Sequence, residues 1–135
     1  MQNVRDYLDF IATRITTFPT LLELCYATRL LIRQTLTEPG LRHTLKGLDL
    51  HAFVDAMETR AQYLANGVFF PEVAMYFRNP ARIKGSFFIR HHGFRVRIDD
   101  VEHYLSGLIA YRAYLDDRDD FADLIGQCPV RLSGA

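Results

Sequence analysis

The chain has no tryptophan, only two cysteines and five prolines, and no net charge, with 16 Lys and Arg against 16 Asp and Glu in 135 residues. Each shortage excludes something. Cys25 and Cys128 stand far apart, which gives neither a disulfide framework nor a CxxC pair for metal or redox chemistry. A formal charge of zero removes long-range steering towards polyanions as a property of the whole molecule. No apolar run approaches the roughly twenty residues of a spanning helix, and no leader pattern opens the chain, so a cytoplasmic setting without membrane contact is expected. A glycine-rich phosphate loop, GxSxG, HExxH and a dinucleotide fingerprint are all missing. No motif names a reaction, and no cofactor is implied.

What is present reads as a mainly α protein. An apolar fraction of 49% and a charged fraction of 24% are those of a globular chain, long enough for a real core. Residues 3–16 place Val4, Tyr7, Leu8, Ile11 and Ile15 on one helical side. After Phe18-Pro19, Thr20-Leu21-Leu22-Glu23 has the form of a capping box. The helix it opens runs to about Leu36, with Leu21, Leu24, Cys25, Thr28, Leu31, Ile32 and Thr35 inward, and Glu38-Pro39-Gly40 ends it. Residues 41–48 allow a short helical turn or a loop. Asp49 is the expected N-cap of a helix carrying Leu50, Phe53, Val54, Met57, Ala61 and Leu64, stopped by Asn66-Gly67. Pro71 suits the first turn of a short helix. Asp99-Asp100-Val101-Glu102 reads as the N-cap of another, followed by acids in its first turn near the positive end of the dipole. A short helix from Phe121 to Ile125 follows. The expectation is one compact domain over 1–128, of five or six helices, with a loose tail at 129–135.

One stretch departs from this pattern. Between Gly85 and Asp100, Phe, Ile and Val alternate with Arg on both sides of His92-Gly93, the signature of a β-hairpin near residues 86–98. A two-residue loop gives one oily face of Phe87, Ile89, His91, Phe94, Val96 and Ile98. The other face then carries Phe88, Arg90, Arg95 and Arg97. A three-residue loop mixes charge and hydrocarbon on both faces, and burying a guanidinium without a partner is costly, so the two-residue loop is favoured.

The same region holds the asymmetry of charge. No acid lies between Glu72 and Asp99, while Arg78, Arg82, Lys84, Arg90, Arg95 and Arg97 do. From Asp99 to Asp123 acids dominate. The arginine face therefore reads as a site for phosphate, carboxylate or a nucleic-acid backbone. Arg90, Arg95 and Arg97 supply the contacts, Phe88 a stacking ring, and Arg82 and Lys84 supporting charge. Internal pairing with Asp99, Asp100 or Glu102 is the competing use of the same arginines.

Two other readings belong to different classes. Asp99 and His103 are four apart on a helix beside Glu102, so a helical enzyme would draw its acid–base pair from Asp99, Glu102 and His103. A metal shared between that group and His91 or His92 is not expected, because five strand residues separate them by about 16 Å. The third reading is assembly. Tyr63, Phe69, Phe70, Tyr76 and Phe77 form an aromatic clump, and the opposite charges of neighbouring stretches suit homo-oligomerisation.

Overall fold

Asp49 does what its position predicts: its side chain accepts from Ala52 N at 2.9 Å and opens a helix over Leu50–Ala65. In the computed structural model, which describes residues 19–127, six α-helices follow in order. They are α1 (Thr20–Thr37), α2 (Leu50–Ala65), α3 (Pro71–Ala74), α4 (Pro80–Ile83), α5 (Ile98–Asp116) and α6 (Arg118–Gly126). The expected helix at 3–16, Cys128 and the tail at 129–135 lie outside the described residues. Residues 41–48 hold a 3-10 turn over Arg42–Leu45.

Helix α1 buries Leu22, Cys25, Arg29, Ile32 and Leu36, a stripe at three- and four-residue spacing. This corrects the expected inner face, since Leu24 and Leu31 are 52% and 67% exposed. The helix is apolar nearly all round, so periodicity cannot choose the face, and the inward side contains an arginine. The expected capping box does not form either. Pro19 occupies the N-cap with no side-chain bond, and the Glu23 carboxylate instead lies 2.6 Å from His103 Nδ1 on α5.

The long helices form one packed group. Leu22 meets Gly107 while Arg29 meets Asp117, so contacts advance together and α1 runs parallel to α5. Tyr114 reaches Glu58 while Tyr104 sits against Gly67, so α2 runs the other way. A Cβ built on Gly107 would lie 3.4 Å from the Leu22 side chain, so the two helices approach closely there. The main core gathers Leu22, Cys25, Ile32, Leu36, Phe53, Met57, Leu64, Tyr104, Tyr114 and Phe121.

The β-hairpin is not formed. Among the described residues there are only isolated bridges, Val68 with Phe87 and Ile89 with Arg95. Two observations explain the difference. First, residues 85–88 hydrogen-bond to the segment after α2, through Phe69 N to Ser86 O, Gly85 N to Phe69 O and Phe88 N to Gly67 O. Second, the return is not a two-residue loop. Arg90–His92 make a 3-10 turn, then Gly93 and Phe94 both take positive φ, 65° and 61°, and Ile89 rather than Arg90 faces Arg95.

The alternation in the sequence is nonetheless real up to Ile89. Phe87 and Ile89 pack on the main core, while Phe88 enters a second cluster with Phe69 and Ala74, supported by Val73, Phe77 and Ile83. The extended segment is covered on both sides. Beyond it the expected oily face is open to solvent, with Val96 48% and Ile98 90% exposed.

Candidate functional site

The segment from Asn66 to Arg97, inserted between α2 and α5, holds every residue expected to bind an anion. It contains six Lys and Arg against one acid, Glu72. Its frame is aromatic. Phe69 meets Phe77 edge-on at 5.0 Å and Phe88 at 4.3 Å, and Phe94 lies 5.0 Å from Phe88 and 5.5 Å from Phe77. Phe94 takes its left-handed backbone in forming this cluster, a conformation that costs a non-glycine residue about 1–2 kcal/mol.

Arg95 lies 3.6 Å from Asp100, and Arg97 pairs with Asp99, so two of the three arginines meet acids in the first turn of α5. Phe88 is 2% exposed and serves as a packing residue, which removes it as a stacking platform. Arg82 and Lys84 are exposed at the end of α4 and make no ion pair among the described residues. Arg90 is exposed at the head of the 3-10 turn.

Arg90 also lines a cavity. An open pocket of about 280 Å³ is bounded by Ala65, Asn66, Val68, Phe70, Val73, Phe88 and Phe94, with Arg90 among them. Arg90 and Asn66 are the polar residues of its lining, and the other six are apolar. A second hollow of about 310 Å³ is formed by Pro71, Ala74, Pro80, Ala81 and Lys84. The expected aromatic clump thus resolves into two kinds of residue. Phe69 is buried and Phe77 partly buried against it, whereas Phe70 and Tyr76 are 50% and 83% exposed.

The expected acid–base pair does not assemble. Asp99 turns to Arg97 and His103 to Glu23, while Glu102 is exposed. No group of three His, Cys, Asp or Glu among the described residues is placed to hold a metal ion. Other reactive groups are poorly activated. Burial pushes the Cys25 thiol up to about 11, against a smaller opposing pull from Arg60. Burial, followed by the hydrogen bond to Glu58, pushes the Tyr114 phenol up to about 12. Both stay protonated near neutrality.

Sequence reasoning missed the buried arginines. Arg29, 1% exposed, pairs with Asp117 and lies 5.0–5.4 Å from the rings of Tyr26, Tyr114 and Phe121. Arg33 joins the same carboxylate. Arg60 is fully buried over Tyr63. The available signal was spacing, since Arg29 falls within the stripe from Leu22 to Leu36.

Among the described residues no helix is long and apolar enough to cross a membrane. Comparison with protein-family models, with curated proteins and with solved structures returns no match for this chain.

Proposed function

We propose that this protein is a non-catalytic binder of a small amphipathic anion, a carboxylate or phosphate monoester carried on an aromatic or short aliphatic body. The observation that carries the reading is Arg90 on the wall of a pocket whose other lining residues, Asn66 apart, are apolar. A hydrocarbon pocket with a few convergent polar groups is the usual form of a small-molecule site, and a guanidinium offers a planar fork to a carboxylate or phosphate. The ion pairs at Arg95 and Arg97 argue against the continuous arginine face that a nucleic-acid backbone would use. The raised thiol and phenol, and the separation of Asp99 from His103, favour binding over catalysis.

Thermal unfolding at low salt, against a panel of aromatic carboxylates, short fatty acids, sugar phosphates, nucleotides and short RNA and DNA, tests this. A ligand at a hundred times its dissociation constant adds about 2.7 kcal/mol. An aromatic or aliphatic anion is expected to stabilise the parent but neither Arg90→Ala nor Val73→Trp, which fills the pocket. A shift produced only by RNA or DNA, or one that survives both substitutions, would overturn the assignment.

The alternative of an assembly protein is favoured by a different observation, the apolar residues exposed on α1 and α5.

A further inference from the structure

On α5, Ile98, Leu105 and Ile109 are 90%, 48% and 69% exposed, although the helix already buries its opposite side through Tyr104, Gly107 and Tyr114. At 3.6 residues per turn, Ile98, Leu105, Ile109 and Asp116 fall within about 20° of one line along the outer face. Glu102 and Arg112 flank that line by about 40°, on opposite sides and at opposite ends. Small residues, Ser106 and Ala113, complete the strip, and both are exposed. This is a narrow apolar seam of the kind that pairs helices, and its charges are arranged about its own midpoint.

We infer that this face pairs with the same face of a second copy, antiparallel, about a two-fold axis at the level of Gly107. Turning α5 end over end about that level lays Leu105 on Ile109 of the other copy, twice. It also sets Glu102 opposite Arg112, twice. With helix axes about 9 Å apart, the Cβ atoms of these charged residues come on the order of 6 Å from each other, within reach of an ion pair. A parallel pairing would instead bring Glu102 against Glu102 and Arg112 against Arg112, which is repulsive. A single patch that complements itself is what a two-fold dimer requires. In one copy alone, Arg112 holds Asp116 at 3.3 Å on the surface, so the guanidinium already leans along the seam.

The arrangement predicts a dimer built on α5, independent of the pocket beside Arg90. Sedimentation equilibrium from micromolar to near-millimolar protein tests it. The parent is expected to move from 15.6 kDa towards twice that mass, and Ile109→Lys to remain at the monomer mass with an unchanged circular dichroism spectrum. Glu102→Arg and Arg112→Glu should each weaken association by about tenfold or more, because each sets like charges together. An equimolar mixture of those two variants should recover it, since each then meets the opposite charge. A parent that stays monomeric throughout would overturn the inference and leave the face to another partner. So would association that survives Ile109→Lys, or variants that fail to complement each other when mixed.

Discussion

The Tyr104 hydroxyl donates to the Phe88 carbonyl at 3.0 Å, and a Cβ built on Gly67 would lie 1.8 Å from the Tyr104 hydroxyl oxygen. The backbone at Gly67 is therefore drawn in against a side chain of α5 while its own carbonyl accepts from Phe88 N. This contact anchors the inserted segment to the helical core.

Gly67→Ala is expected to destabilise the protein by about 2–3 kcal/mol, as overpacking against a fixed neighbour does. Tyr104→Phe should cost about 1–2 kcal/mol through the loss of a buried hydrogen bond. Combined, the two should cost less than their sum, because removing the hydroxyl relieves part of the clash. Gly85→Ala isolates the conformational effect, since φ is 81° there and nothing lies within 4 Å of the built Cβ. About 1 kcal/mol is expected from backbone strain alone. Urea unfolding of the four variants measures all of this.

Asp117 serves both Arg29 and Arg33, and the two arginines are not equivalent. Asp117→Ala should cost about 3–5 kcal/mol, because it leaves the buried Arg29 guanidinium without its carboxylate. Arg33 is 39% exposed, so Arg33→Ala should cost no more than about 1 kcal/mol. Equal losses in the two variants, read from chemical denaturation, would contradict this division.

Alkaline pH should weaken the fold through Cys25. Its folded pKa of about 11 exceeds the ordinary 9.0, so the folded state holds the proton longer than the unfolded chain does. The contribution is complete below about pH 9 and is lost as the pH rises through about 11. Its ceiling is about 2–3 kcal/mol. Tyr114 adds a loss of the same sign between about pH 10 and about 12. Cys25→Ala should flatten the first part of the stability curve and leave the second, and the Cys25 thiol should react with a thiol reagent only on unfolding.

Within the basic segment, the arginines should separate by role. Arg95→Ala and Arg97→Ala are expected to leave ligand-induced stabilisation intact, because their guanidinium groups face Asp100 and Asp99. Arg97→Ala should itself cost less than about 1 kcal/mol, because its pair with Asp99 is exposed on both sides. Arg90→Ala should abolish the stabilisation by ligand. Loss of binding in all three would restore the continuous arginine face.

Much of the helical frame was legible in the sequence, because N-cap, stop and spacing signals agree there. Asp49 and Asn66-Gly67 bracket α2 within a residue or so, whereas the N-cap expected at Asp99 falls at Arg97, and Asp99 and Asp100 lie inside the first turn of α5. The turn at Gly93 was not legible. Consecutive positive φ at Gly93 and Phe94 lengthens it, and nothing in the identity of Phe94 announces a left-handed backbone. The alternation around Phe88 was read as one strand of a hairpin that does not form, because residues 85–88 bond to the segment after α2 and the second face of Phe88 is covered by Phe69 and Phe77, which only the fold brings there. Arg29 was hidden for the opposite reason: a charge signals the surface unless an acid ninety residues away, roughly, closes on it.

The inserted segment keeps its own small cluster around Phe69 and Phe88, tied to the helices at Phe87, Ile89 and Tyr104. Such a unit can open without dissolving the rest. Amide protons of residues 68–95 should then exchange on a shorter clock than those of α1 and α2, and a ligand seated beside Arg90 would lengthen that clock alone.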